Sequence, residues 1–340
     1  MPRTALLVDW VQTLFERQFP HREIHIEAAS ADASFRRYFR VRLPDRTTRI
    51  VMDAPPEKED CRPFVRIASL FRDAGAHVPE VLAEDLTQGF LLLSDLGDKT
   101  YLNALADPKA APGLYRDATS ALLAIQLSSR PRVLPDYDRD LLHRELALFP
   151  DWYLTRHLGL TVDATLQRTL DSVFATLLAN NLQQPRVFVH RDYHSRNLMV
   201  VDGGFPANPG VLDFQDAVYG PLTYDLVSLF RDAYIGWPEE QELDYVIRYW
   251  EAARQAGLPV PADFHDFYRD YEWMGAQRQL KVLGIFARLC HRDGKQNYLK
   301  DMPLVMAYLR RTCQRYGELR PLARVLDRVE NAATDVGYTF

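Results

Sequence analysis

An α+β fold in two lobes, a small β-rich lobe over residues 1–96 and a mainly helical lobe over residues 97–340, is predicted by three features of the sequence. Short runs rich in β-branched and aromatic residues, separated by Pro, Asp and Gly, crowd into the first part of the chain. Long stretches with apolar residues at three- and four-residue spacing fill most of the rest. The length, 340 residues, is enough to bury the cores of two such lobes.

Taken in order, Leu6, Leu7, Trp10, Val11, Leu14 and Phe15 recur at helical spacing, so the chain opens with an amphipathic helix ending before Pro20. Residues 24–27, 35–43, 49–53 and 90–94 read as strands, and residues 60–74 as a helix closed by Gly75. The lobe boundary falls near Leu96-Gly97. Beyond it, helices are expected over 114–127, 141–158, 162–182, 224–233, 240–255 and 264–290. The exception is 186–214. There Val187-Phe188-Val189, residues 198–201 and Val211-Leu212 read as short strands around polar loops, with 202–210 as a turn rich in Gly, Pro and Asn. Irregular backbone between packed helices is where binding and catalytic groups concentrate.

Composition removes several function classes. With 47% apolar and 26% charged residues, and 41 basic against 46 acidic side chains for a net charge of −5, this is ordinary soluble composition. It carries no electrostatic footprint for nucleic acid, since the one basic cluster, Arg36, Arg37, Arg40 and Arg42, is local. Asp9 interrupts the apolar run Ala5 to Val8 before a signal core forms, and no stretch reaches the ~20 apolar residues of a membrane span, so neither export nor embedding is expected. Three cysteines, Cys61, Cys290 and Cys313, with no C-x-x-C pair, fit a reducing compartment, and the chain is expected to be cytoplasmic and monomeric.

The chemistry concentrates in one segment. Val189-His190-Arg191-Asp192-Tyr193-His194-Ser195-Arg196-Asn197-Leu198 has the form H-x-D-x-x-x-x-N and is followed by Val211-Leu212-Asp213-Phe214. Phosphoryl transfer needs a carboxylate to receive the acceptor hydroxyl's proton and oxygen ligands for Mg²⁺ on the nucleotide phosphates. Asp192 is the candidate base, and Asn197 and Asp213 the candidate metal ligands, an amide and a carboxylate oxygen suiting a hard cation. His190, opening the loop, is read as orienting backbone. A metal-dependent hydrolase using His190, Asp192, His194 and Asp213 is a competing reading of the same residues.

The segments VFVHRDYHSRNLMV and GVLDFQDAVYGPLTYDLVSLF together resemble the aminoglycoside phosphotransferase and choline kinase family, distant relatives of protein kinases. The resemblance implies a two-lobed protein-kinase-like fold, with ATP and Mg²⁺ bound between the lobes, and it places Asp225 as a support of the catalytic loop. ASADASFRRYFRVR resembles the phosphate-covering strand-loop-strand, with Ser30 and Ser34 as phosphate contacts, although no glycine is present. FLLLSDLGDKTYL resembles the hinge that receives adenine, at Ser94, Asp95 and Leu96. Where kinases carry V-A-I-K, this chain reads Ile50-Val51-Met52-Asp53, leaving the phosphate cation to Lys58, Arg49 or an arginine among residues 36–40.

Within that family, DASFRRYFRV, IVMDAPPEKEDCRPF and MGAQRQLKVLGIFARL resemble bacterial anomeric sugar kinases of cell-wall recycling. The implied reaction moves the γ-phosphoryl of Mg-ATP to the C1 hydroxyl of N-acetylmuramate or N-acetylglucosamine. Glu145, Trp152, Arg191 and Asp216 are the candidate acceptor contacts, with Arg191, Arg278 and Lys281 as candidates for muramate's carboxylate. The alternatives are another small alcohol, of aminoglycoside or choline type, and a non-catalytic nucleotide-binding regulator.

Overall fold

Helix α1 (Arg3–Phe15) precedes strands β1 (His25–Ala31), β2 (Arg37–Arg42) and β3 (Thr48–Asp53); helix α2 (Arg62–Asp73), β4 (Val81–Asp85) and β5 (Phe90–Ser94) follow. The computed structural model describes residues 3–31, 35–201 and 208–336. The five strands form one antiparallel sheet in the order β1-β2-β3-β5-β4. Its side chains alternate between faces. Val41, Val51, Phe90 and Leu92 join Leu7, Val11 and Phe15 of α1 in one core, while Met52, Leu91 and Leu93 join another with α2. Both faces of β5 are thus covered, which explains its unbroken apolar run. β4 escapes the sequence reading because the exposed Leu82 spoils the alternation of a short edge strand.

The chain continues through α3 (Tyr101–Ala104), α4 (Ala111–Leu127), α5 (Arg139–Leu148), a π-helical segment (Phe149–His157) and α6 (Ala164–Asn181). Strands β6 (Arg186–Val189), β7 (Leu198–Met199), β8 (Gly210–Val211) and β9 (Val218–Pro221) come next. Helices α7 (Tyr224–Phe230), α8 (Glu239–Gln255), α9 (Phe264–Asp293), α10 (Met302–Arg315) and α11 (Arg320–Val336) complete the lobe. Asp138, Asp163 and Asp263 start α5, α6 and α9 by accepting first-turn N–H groups. The core that begins at Met52 and Phe64 runs on through this lobe.

Two departures from the expected elements bear on the site. The helix expected over 141–158 divides at Phe149, because Pro150 has no N–H to continue the α pattern, and Leu158 N–H closes on the Tyr153 carbonyl five residues back. On α9, every residue from 271 to 284 is buried, so its polar residues must find partners inside the protein. β9 hides in the sequence behind its Gly-Pro ending; it pairs with β6, and a Cβ at Gly220 would stand 2.5 Å from Tyr137 Cβ. All three cysteines are free thiols. No helix among the described residues is long and apolar enough to cross a membrane.

Candidate active site

Strand β6 delivers the chain into the loop 190–197, and β7 and β8 return it to Asp213. Two buried carboxylates fix the loop backbone. Asp225, in the first turn of α7, accepts the N–H groups of His190 (2.6 Å) and Arg191 (3.0 Å), as the resemblance implies. Asp232, just beyond the same helix, accepts from Ser195 (2.8 Å) and Tyr234 (2.9 Å). Arg191 (φ 79°) and Asp213 (φ 62°) hold left-handed backbone, which non-glycine residues adopt only where surroundings impose it. Burial pushes the Asp225 carboxyl up to about 7, although both N–H groups favour its charged form.

His190 is wholly buried, stacked on Phe71, and lies 2.9 Å through Nε2 from the Leu212 carbonyl, while its Nδ1 accepts the Asp192 N–H at 3.2 Å. Burial lowers its pKa to about 4, so the ring is neutral and donates through Nε2. With both nitrogens engaged it cannot ligate a metal, and the hydrolase reading loses its first ligand. No group of three or more His, Cys, Asp or Glu among the described residues is arranged to hold a metal ion.

Asp192, Asn197 and Asp213 converge. Asn197 Nδ2 donates to the Asp192 carbonyl at 3.0 Å and lies 3.5 Å from Asp213 Oδ2, leaving its Oδ1 as an acceptor. Oδ1 and the Asp213 carboxylate form a hard oxygen pair that fits Mg²⁺, which keeps further positions for water and phosphate. The Asp192 side chain is 47% exposed. Enclosure by protein raises its pKa, but Lys281, His194 and Arg278 outweigh that and hold it at about 2.

Asn197 and Asp213 line a cleft of about 530 Å³ between sheet and helices, together with Tyr38, Ile50, Leu93, Met199, Leu212 and the hinge residues 94–98. Ser94, Asp95 and Leu96 all lie on it. The Asp95 carboxylate takes Arg40 (2.7 and 3.1 Å) and the Gly97 N–H, and Ser94 Oγ accepts the Glu80 N–H, so both side chains are committed to shaping the hinge. Ser34 lies outside the described residues; Ser30 stands on β1 opposite Tyr38. Asp53 faces away from the cleft, pinned by Arg3 and Arg37.

Beyond Asp192 lies a charged cluster. Glu145 is a buried hub, not an open acceptor contact: Oε1 meets Arg191 Nη2 at 2.6 Å and Lys281 Nζ at 2.9 Å, and Oε2 accepts from Tyr137. Arg191 Nη1 also reaches the Asp216 carbonyl at 3.5 Å, and the Asp216 side chain is exposed. Arg278 bonds Ser228 at 2.6 Å and lies 3.8 Å from Asp192 Oδ1; Lys281 bonds Tyr224 at 2.8 Å. Arg191, Arg278 and Lys281 thus gather around Glu145 and Asp192, with Asp225 and Asp232 also in electrostatic reach of Arg278. Trp152, on the π-helical segment, packs on the core and is not among the residues lining the cleft.

Sequence reasoning missed Asp232, and it named His194 only as a ligand in the hydrolase reading. Asp232 follows Asp225 by seven residues, two helical turns, and that spacing was the available signal. His194 lines the cleft against Tyr234, and its buried Nδ1 has no hydrogen-bond partner among the described residues.

Comparison with known proteins finds relatives over most of the chain. A model of the phosphotransferase enzyme family matches residues 25–264. An N-acetylmuramate/N-acetylglucosamine kinase of Pseudomonas aeruginosa is 52% identical over 305 residues, covering 90% of this chain and 88% of its own. A kinase of the same name from Neisseria meningitidis is 46% identical over the full length of both. Among solved structures, an ADP-bound aminoglycoside phosphotransferase superposes with a TM-score of 0.55 at 14% identity, covering 88% of this chain and 97% of its own. A choline kinase of Streptococcus pneumoniae gives 0.59 at 12% identity, covering 89% and 98%.

Proposed function

The chain belongs to the phosphotransferase enzyme family, and from that premise we propose that it transfers the γ-phosphoryl of ATP to the anomeric hydroxyl of N-acetylmuramate or N-acetylglucosamine in cell-wall recycling. The observation that carries the reading is the grouping of sites at one cleft. Hinge residues and the pair Asn197 and Asp213 line the cleft, Asp192 adjoins Asn197 through its carbonyl, and Arg278, with Lys281 and Arg191 on Glu145, lies next to Asp192. Residues 1–96 cover the nucleotide in this reading, and 97–340 supply the catalytic loop and the acceptor side. The reducing environment its free cysteines suit makes the cytoplasm the place of action.

Asp192, ionised at neutral pH, accepts the C1 hydroxyl's hydrogen bond and takes its proton as the oxygen attacks phosphorus. Asn197 and Asp213 would hold Mg²⁺, which neutralises charge on the phosphates and leaving group. An anomeric hydroxyl is more acidic than other sugar hydroxyls, so a base this weak suffices and positioning supplies most of the rate. The three cations gathered beside Asp192 favour an acceptor bearing a carboxylate, as muramate does, over the polycationic aminoglycoside or choline alternative.

Protein incubated with Mg-ATP and N-acetylmuramate, N-acetylglucosamine, choline or an aminoglycoside, followed by phosphorus NMR, tests this. The expected product is a sugar 1-phosphate, formed about 10²–10⁴-fold more slowly by Asp192→Ala. Phosphorylation of choline or the aminoglycoside alone would overturn the acceptor. ATP binding with no acceptor turned over would favour the regulator.

A further inference from the structure

The protein-kinase arrangement places a lysine on the third strand against a glutamate of the following helix, and that pair handles the nucleotide phosphates. Neither member exists here. The β3 residues that share the cleft face of the sheet are Ile50 and Met52, and Met52 is buried in the core. Helix α2 has no carboxylate before its last residue, Asp73, and packs its inner face as Phe64, Ile67 and Phe71, with Phe64 and Phe71 against Phe214. The β1–β2 connection contains no glycine, the residue that best permits close backbone approach to phosphate. The positive charge must come from elsewhere.

Of the other cations near the cleft, each has a partner of its own, including the two on its wall, Arg40 and Arg196, the latter lying over the Tyr234 ring at 3.6 Å. Arg37 and Arg3 hold Asp53 on the far side of the sheet, Arg40 ties β2 to Asp95 and the Gly97 carbonyl, and Lys58 lies over the exposed Phe35 ring. Arg49 donates to its neighbour Thr48. Arg36 differs in its partner. It stands immediately before β2, its side chain is only 10% exposed, and its Nη2 lies 3.9 Å from Oδ1 of Asp213. That carboxylate is the one that would hold Mg²⁺ on the phosphates.

We infer that Arg36 takes over the phosphate-binding task of the missing lysine–glutamate pair, contacting the β- and γ-phosphate oxygens from the β1–β2 connection. A planar guanidinium makes two parallel bonds to phosphate oxygens, so one side chain supplies both charge and orientation. Asp213 acts as its partner in place of a helix glutamate, which ties the cation directly to the metal-binding carboxylate. The inference rests on the kinase reading of the cleft.

Calorimetric titration of the full chain with adenosine, ADP and ATP in the presence of Mg²⁺ tests it. Arg36→Ala is expected to weaken ATP about 10- to 100-fold while leaving adenosine within about twofold, and Arg36→Lys to recover part of the loss. Arg36→Gln, close in length and without charge, gives the same reading should the alanine variant unfold. ATP affinity unchanged in both uncharged variants would reduce Arg36 to a structural partner of Asp213 and overturn the inference. A wild-type protein that binds ATP no better than adenosine would overturn both this and the kinase reading. Absence of sugar phosphorylation with phosphate-dependent binding intact would overturn the acceptor alone.

Discussion

Lys281 Nζ lies 2.9 Å from Glu145 Oε1, the same oxygen that Arg191 Nη2 meets at 2.6 Å. All but a few per cent of both side chains of the Lys281–Glu145 pair is withdrawn from solvent. One carboxylate thus assembles two cations next to Asp192, and a third, Arg278, comes from the preceding turn of the same helix as Lys281.

The acid limb of the pH–rate profile should report this cluster. The base role proposed for Asp192 requires its ionised form, and with its pKa held at about 2 the wild-type rate should not fall through the usual carboxylate range near 4. Lys281 is the largest of the charges that lower it. Lys281→Met should therefore move the acid limb of kcat/KM upward by about one pH unit or more, with Lys281→Arg restoring it. An unmoved limb in the methionine variant would assign Lys281 to packing alone.

Asp213→Ala should remove the Mg²⁺ dependence of nucleotide binding. Its carboxylate and the Asn197 Oδ1 would be the two oxygen donors of the proposed metal site, and Mg²⁺ retains few protein ligands to begin with. Titrations of ATP with and without Mg²⁺ should differ for the wild type and coincide for the variant.

Asp225 makes two predictions of opposite kind. Asp225→Ala strands two buried N–H groups, at about 1–3 kcal/mol each, and should lower stability in denaturant titrations while releasing the loop that carries Asp192. The pH dependence has a definite sign. A carboxyl raised to about 7 in the folded chain binds its proton more tightly folded than unfolded, so its contribution falls as pH rises from about 4 to 7. Asp225→Asn cannot ionise, and its stability relative to wild type should grow across that window.

How much of this was legible in the sequence follows from the range of the interactions. Asp192, Asn197 and Asp213 were readable because one loop and one tight return carry all three. Asp225 came with them by resemblance. The buried role of Glu145 was not readable, because it depends on Tyr137, Arg191 and Lys281, which three separate segments bring together. Gln277, Arg278 and Lys281 share a helix face by spacing, but spacing does not say whether a neighbour covers that face. The departures at α5 and β9 have local causes, Pro150 and Gly220-Pro221, whose effect is to hide an element's true type. α10 and α11 lie beyond the last periodic stretch assigned, and α10 is held to the lobe by Arg231, a fully buried arginine that bonds Glu242, Glu272 and Thr312 on three different helices.

Two helical glycines should respond to alanine with opposite sign. Gly113 in α4 has nothing within 4 Å of where a Cβ would stand, so Gly113→Ala should raise stability by about 0.5–1 kcal/mol through helix propensity alone. Gly284 in α9 would place a Cβ 2.5 Å from the carbonyl carbon and oxygen of Leu148, the last residue of α5. Backbone atoms cannot rotate away, so the same propensity gain is outweighed by about 1–3 kcal/mol of overpacking. Because Leu148 leads into the π-helical segment and Lys281 sits one turn before Gly284, the displaced backbone should also loosen the Glu145–Lys281 pair. Gly284→Ala is therefore expected to lower both stability and sugar turnover. A variant that loses stability while keeping wild-type kcat and KM would separate this packing contact from the charged cluster.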